Sequence, residues 1–335
     1  MAQLANTHDT YAAVGIHEDL ANVISMITPE ETPFTSNIGT SRSVKDTRHK
    51  WQTDTLATPD LTNAKVQGFQ YDFSAITPTS EVSNVTQILS KEFRVAKTLD
   101  AVDTAGRANE TNREKLKKGM EIKIDYEAIM LSNQASVAGS GSTPAKMGAL
   151  RAWLATNDSV GSGGASGGYN SSTSAVDVAT NGTQRAFTKA LLDGAIQSAY
   201  LAGGNPNMIM LSPYVKQVFS GFMSNTDVAQ LRTSVQGKAA TMVGAVDAYL
   251  SDFGLLAAVP NRQMARAGAD VARNVFLIDK EKVRMGWLRK IQEDKDVART
   301  GDATPCAMVG EATLIVDNEA AHAVVADVYG MTASS

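Results

Sequence analysis

The sequence predicts an α+β protein in which slender parts extend from a compact unit, and three observations carry that expectation. Residues 104–135 contain no proline, so roughly 30 residues can run as one helix of about 45 Å. Between Lys50 and Ala96 the apolar residues fall at every second position, the period of a half-buried strand. Residues 186–222 spell a capped helix, a short apolar run and a second helix, the grammar of a small α/β core.

In chain order, residues 1 to about 16 are small and polar without a clear period and read as an extended arm. Leu20, Val23, Ile24 and Ile27 then form the i, i+3, i+4, i+7 set of a short amphipathic helix that Pro29 ends. Thr32-Pro33-Phe34 starts another helical turn, with a good N-cap residue, proline at the first helical position and Gly39 at its close. Neither helix has a visible partner core, so both are expected to pack on something distant, such as another chain.

Val85, Leu89, Phe93 and Val95 lie on one face of a strand, and Lys50–Leu56 is its expected antiparallel partner across a polar tip. A two-stranded ribbon of this length is marginal in water and needs a surface to lie on. On the long helix, Leu116, Met120, Ile124, Ala128 and Leu131 make the expected apolar stripe, widened by Ile122, Tyr126 and Ile129. Glu114 with Lys118, Lys117 with Glu121 and Lys123 with Glu127 are the expected ion pairs, each worth only a few tenths of a kcal/mol when exposed. A turn at Gly139–Pro144 follows. Residues 157–183, in which Gly and Ser supply 12 of 27 residues, read as a flexible surface loop.

Thr188 caps a helix through Leu192, Ala195, Ile196 and Ala199 that stops at Gly203-Gly204-Asn205-Pro206. Met208–Leu211 is a buried strand, and Ser212-Pro213 opens the next helix with Val215, Val218, Phe219 and Phe222 inward. The remainder is mainly β: strands around a turn in Val246–Val259, then Val275–Asp279 and Val283–Leu288, and a closing hairpin of Ala307–Val316 with Ala321–Tyr329.

Composition narrows the function. At 335 residues, 43% apolar and 20% charged, the chain is long enough for two or three cores and reads as globular. A net charge of -4 argues against gripping nucleic acid as the main task. Cys306 is the single cysteine, so a disulfide framework and a cysteine-based zinc site are excluded. The longest apolar run is Leu255–Val259, and no signal peptide or membrane span is expected.

No catalytic constellation emerges. Gly164-Ala165-Ser166-Gly167-Gly168 matches the G-x-S-x-G elbow in letters, but it lies in a Gly/Ser stretch rather than between a strand and a helix. His8, His17, His49 and His322 are scattered, and Ala21 stands where H-E-x-x-H would need its second histidine. Glu293-Asp294-Lys295-Asp296 lacks calcium-loop spacing and reads as a solvated face. Arg42, Lys45, Arg48 and Lys50 form a small basic cluster that suits nucleic acid or an acidic neighbouring subunit equally. The expected catalytic, cofactor-binding and metal sites are therefore none.

The order of arm, ribbon, strut helix, loop and α/β unit resembles the major capsid protein of tailed phages, the Hong Kong 97 type fold. The likeness is carried by Pro29-Glu30-Glu31-Thr32-Pro33-Phe34 in the arm, by the small-residue helix exit Ala135–Gly139, by Gly203–Pro206 and by Gly310-Glu311-Ala312-Thr313-Leu314. It is greatest to the branch typified by the SU-ten phage capsid protein.

That resemblance implies an N-terminal arm (1–48), an extended β-ribbon loop (49–97) and a peripheral domain with a spine helix (98–185). It further implies an axial domain (186–290) and a return to the peripheral domain (291–335). It implies a non-enzymatic subunit that assembles with itself through hexamers and pentamers into an icosahedral shell around double-stranded DNA, held weakly and non-specifically. Portal, scaffold or decoration proteins are implied partners, with no membrane and no cofactor. The place implied is the virion, assembled in the host bacterial cytoplasm. No lysine–asparagine cross-link is expected. The other reading is an encapsulin-like shell holding cargo protein, and a serine hydrolase using Ser166 is the third.

Overall fold

Two sheets and one long helix organise the chain. The computed structural model describes residues 31–41, 44–73, 75–76, 78–102, 109–221, 247–299 and 301–330. The expected arm at 1–16 and the helix carrying Leu20 to Ile27 lie outside the described residues.

The first described helix, α1 (Pro33–Asn37), starts after Thr32 as the Pro-Phe signature predicts, and β1 (Gly39–Thr40) follows. Strands β2 (Arg48–Thr53) and β3 (Ser80–Val85) pair antiparallel with Trp51 opposite Val82. The ribbon was expected to pair 50–56 with 85–95, and the register differs. The break comes at Thr86, whose N–H donates to Thr47 O at 2.8 Å and whose hydroxyl donates to the buried Glu311 at 2.8 Å. Beyond it, β4 (Gln87–Ala96) leaves the ribbon for another sheet, with Leu89, Phe93 and Val95 turned inward as expected.

Short α2 (Lys97–Ala101) precedes the long helix α3 (Glu110–Leu131). Asn109 caps α3 by accepting from Asn112 N at 2.9 Å, and the Asp100 carboxylate accepts from Glu110 N and Thr111 N, placing negative charge at the positive end of the helix. The helix has 22 residues rather than about 30, and residues 104–108 of the expected run lie outside the described residues. It stops at Leu131 because Ser132, Asn133 and Gln134 spend their side chains elsewhere: Ser132 Oγ donates to Ile129 O, Asn133 Nδ2 to Ala179 O and Gln134 Nε2 to Met147 O.

Its buried face also differs from the expected stripe. Ile122, Tyr126, Met130 and Leu131 are buried, whereas Leu116 is exposed. Tyr126 sets this rotation: its ring meets Trp287 edge-on at 5.4 Å and its hydroxyl donates to Gln87 O at 3.2 Å. The ion pairs shift with it. Lys118 pairs with Glu121 at 2.9 Å and Lys117 with Glu114 at 3.7 Å, each three residues apart, while Glu127 is buried away from Lys123.

After the predicted turn, in which Ser140 N donates to Thr143 O, come α4 (Leu150–Trp153) and the strands β5 (Asp158–Ser159), β6 (Gly168–Asn170) and β7 (Ala175–Asp177). The Gly/Ser stretch is thus folded rather than a flexible loop. Tyr169 stacks on Trp153 at 5.7 Å, Val176 is buried, and Gly161 N and Gly182 N both donate to Asp327 at 2.9 Å. Its glycines serve close approach: a Cβ on Gly161 would lie 2.0 Å from Thr183 O.

The α/β unit is as expected over its described residues; Phe222 lies outside them. Thr188 caps α5 (Lys189–Leu201), β8 (Met208–Leu211) is wholly buried, and α6 (Pro213–Gly221) buries Val215, Val218 and Phe219. Strands β9 (Ala248–Ser251) and β10 (Gly254–Pro260) flank the expected turn. Two short helices, α7 (Arg262–Arg266) and α8 (Ala269–Ala272), lead to β11 (Val275–Ile278), β12 (Val283–Asp294), β13 (Ala303–Val316) and β14 (Ala323–Val325).

One sheet has the order β1-β12-β13-β4 and the other β5-β14-β11-β8-β10-β9. The expected closing hairpin does not form, because β13 and β14 belong to different sheets. β14 instead pairs antiparallel with β11 and parallel with β5. Helix α3 lies on the four-stranded sheet and shares its core with Met208, Met210, Phe276 and Ile278 from one face of the six-stranded sheet. The other face, with Ile209, Leu211, Val275 and Leu277, packs under α5 and α6. Burial on both faces is why these strands read as unbroken apolar runs.

Candidate assembly surface

Between β2 and β3 the described residues of 54–79 form no helix or strand. Their apolar side chains face outward: Leu56 is 98% exposed, Leu61 96%, Phe73 89% and Ile76 93%, with Val66, Phe69 and Tyr71 also exposed. Phe69, Tyr71 and Phe73 form a row with centroids 5.2 and 6.4 Å apart. The expected polar tip is therefore an apolar one. Burying such a side chain contributes about 1.5–3 kcal/mol, and contiguous exposed apolar surface marks an interaction site.

The base beneath this loop is fixed. Trp51 Nε1 donates to Val316 O at 3.0 Å and its ring sits 5.4 Å from that of Trp153. Lys50 pairs across the ribbon with Glu81 at 2.7 Å, and Arg48 donates to Ser174 O at 3.2 Å. Of the expected basic cluster, these contacts engage Arg48 and Lys50, while Lys45 is exposed and Arg42 lies outside the described residues. What they build is a stiff stem carrying a solvated apolar tip.

Phe34 is fully buried, so α1 finds within its own chain the core that its sequence did not reveal. Glu127 of α3 accepts from Phe34 N at 2.6 Å and Thr35 N at 2.8 Å, supplying the N-terminal cap that Thr32 does not make. Asn261 Nδ2 adds a third donor at 2.7 Å. Burial pushes the Glu127 carboxyl up, and the backbone donors of Thr35 and Phe34 pull it back. Sequence reasoning assigned Glu127 to Lys123. The signal that points elsewhere is an acid flanked by Tyr126, Met130 and Leu131 on the inward face.

The weighed catalytic candidates do not converge. Ser166 is exposed beside the Ala165–Thr180 bridge, near Asp158, with neither the strand before it nor the helix after it that an elbow requires. His8 and His17 lie outside the described residues. His49 stacks on Trp51 at 5.8 Å. His322 is buried and accepts from Asp279 N through Nδ1 at 3.1 Å. Glu293 pairs with Lys115 at 2.8 Å, while Asp294, Lys295 and Asp296 are exposed. Among the described residues no His, Cys, Asp and Glu group is placed to hold a metal ion. Cys306 is buried in β13.

A family model described as SU10 major capsid protein matches residues 3–329. The chain belongs to that family. It is 34% identical over 251 residues to the major capsid protein of Escherichia phage Phieco32, covering 67% of this chain and 71% of that one. Among solved structures, a chain of Gordonia phage Cozz is similar with a TM-score of 0.62 at 12% identity, covering 98% and 97% of the two chains. A structure of phage G gp27 major capsid proteins with gp26 decoration proteins gives 0.52 at 10% identity, covering 99% and 100%. At such identities these likenesses establish the fold, that of tailed-phage capsid proteins. Membership of the SU10 major capsid protein family makes the role a structural one in a phage capsid.

Proposed function

We propose that the chain is the repeating subunit of a closed icosahedral shell, assembling through hexamers and pentamers around double-stranded DNA. The observation that carries this is the apolar loop 54–79, exposed on a ribbon whose base is pinned to the core. The described residues leave a side-chain row such as Phe69-Tyr71-Phe73 exposed; a second chain would bury it, and every copy offers the same row. In this reading 1–48 is an inter-subunit arm, 49–97 the extended loop, 98–185 with 291–335 the peripheral domain and 186–290 the axial domain. The subunit works without a catalytic site. An acidic chain suits a shell that must contain DNA without adhering to it. Portal, scaffold and decoration proteins are the further partners, and the virion, built in the host cytoplasm, is the place of action.

Negative-stain electron microscopy with sedimentation of the full chain, alone and with its neighbouring phage proteins, tests the reading. Shells, or free hexamers and pentamers, are the expected result. An inert monomer under both conditions would overturn it.

A further inference from the structure

Glu127 is 0% exposed in the last turns of α3, and no cation pairs with it among the described residues. A buried carboxylate without a counter-charge is expensive, and an apolar residue would be the ordinary choice at that position. Its partners are all donors from other segments: two backbone N–H groups of α1 with the Thr35 hydroxyl, and the amide of Asn261. Asn261 is itself the N-cap of α7, accepting from Gln263 N at 2.8 Å, and it follows directly on β10 of the six-stranded sheet. Gln263 Nε2 then donates to Glu31 O at 3.1 Å. One carboxylate and one amide thus join the spine helix, the six-stranded sheet and α1.

We propose that Glu127, with Asn261, is a positioning residue for assembly: it fixes the place and heading at which the N-terminal region meets the body of the subunit. This rests on the shell reading above. The physical basis is specificity rather than net stability. An apolar side chain could fill the space, but only an acceptor with two oxygens orients two successive N–H groups and an amide at once. Phe34 alone would hold α1 by a contact that tolerates rotation; the carboxylate removes that freedom.

The test uses the full chain with Cys306→Ser and nitroxide labels at Ser36→Cys and Leu116→Cys, both exposed positions. Electron-spin distance measurement on the unassembled subunit should give one narrow distance with Glu127 present. Glu127→Gln, whose amide turns a donor toward one of these N–H groups, should broaden or split it. Unlabelled Glu127→Gln should also lower the yield of uniform closed shells. The control is Ile196→Ala, a remote core change in α5, compared at a temperature where the two variants are equally folded. Loss of the narrow distance with loss of uniform shells, and normal shells from the control, supports the proposal. An unchanged distance in Glu127→Gln, or equal assembly loss in the control, overturns it. A labelled wild-type subunit with a narrow distance that never assembles would sink the shell reading while leaving the junction intact.

Discussion

Asn84 Nδ2 donates to the carbonyl oxygen of Leu314 at 2.7 Å, joining the last turn of the ribbon to the centre of a different sheet. The same amide also donates to Gly148 O at 3.1 Å and accepts from Gly148 N at 2.7 Å, all of it buried. Replacing Asn84 with leucine takes this partner from two carbonyls and two N–H groups, Gly148 N and Val85 N. The expected loss is about 3 kcal/mol or more, at about 1–3 kcal/mol per stranded buried group, read as a lower urea midpoint. A midpoint within error of wild type would show that the amide is replaceable.

His322 makes stability depend on pH in one direction. Burial lowers its pKa to about 4, because the neutral ring accepts from Asp279 N and a charged ring could not. Between the unfolded value near 6.5 and about 4 the unfolded chain binds the extra proton. Stability is therefore lost as pH falls through that window, by about 3 kcal/mol at its lower end. Glu127 and Asp158, raised by burial, act with the opposite sign above their ordinary values of 4.5 and 3.8, where their windows overlap that of His322. Thermal melts at pH 7 and pH 4.5 should differ less in His322→Gln than in wild type; an equal difference would place the titration elsewhere.

Gly204 has no room for a side chain: a Cβ there would lie 2.4 Å from Ala321 O, a backbone atom that cannot swing away. Gly204→Ala should destabilise by about 1–3 kcal/mol, the usual range for overpacking a tight site. Gly194→Ala, in the exposed middle of α5 with open space around it, should be neutral or stabilising by up to about 1 kcal/mol. Differential scanning calorimetry of the pair gives the comparison directly.

The loop prediction separates folding from assembly. Leu61, Phe73 and Ile76 make no use of their own core, so changing all three to serine should leave the subunit melting temperature within about 1–2 °C, as expected of surface positions. Particle formation by light scattering should fall sharply. Normal particles from the triple variant would remove the loop from the interface.

Legibility in the sequence followed the range of the forces involved. The segment from Thr188 to Gly221 was readable because each boundary is set by a neighbour in sequence: the Thr188 cap, the Gly203-Gly204 stop, the Ser212-Pro213 start. The partner of β14 was not, since nothing between Asp317 and Ala323 says that the strand crosses to β11 instead of turning back on β13. Residues 157–183 were misread because glycine serves close approach as well as freedom, and only the Asp327 carboxylate shows which. Glu127 looked like half of a surface pair because helical spacing offered Lys123, while its true partners lie 92 to 134 residues away. The apolar loop tip was visible in its letters, yet alternation drew attention to the strands beside it.

The placement of β14 has a consequence for how the chain is made. Its three residues sit between β5 and β11, and Asp327 just beyond reaches back 166 positions to Gly161. The six-stranded sheet therefore cannot close until Ala323–Val325 has been synthesised, long after β5 (Asp158–Ser159). Contacts this distant in sequence are slow to form. A copy cut before Ala323 lacks the strand that joins β5 to β11, so such a fragment carries an open sheet rather than a finished body.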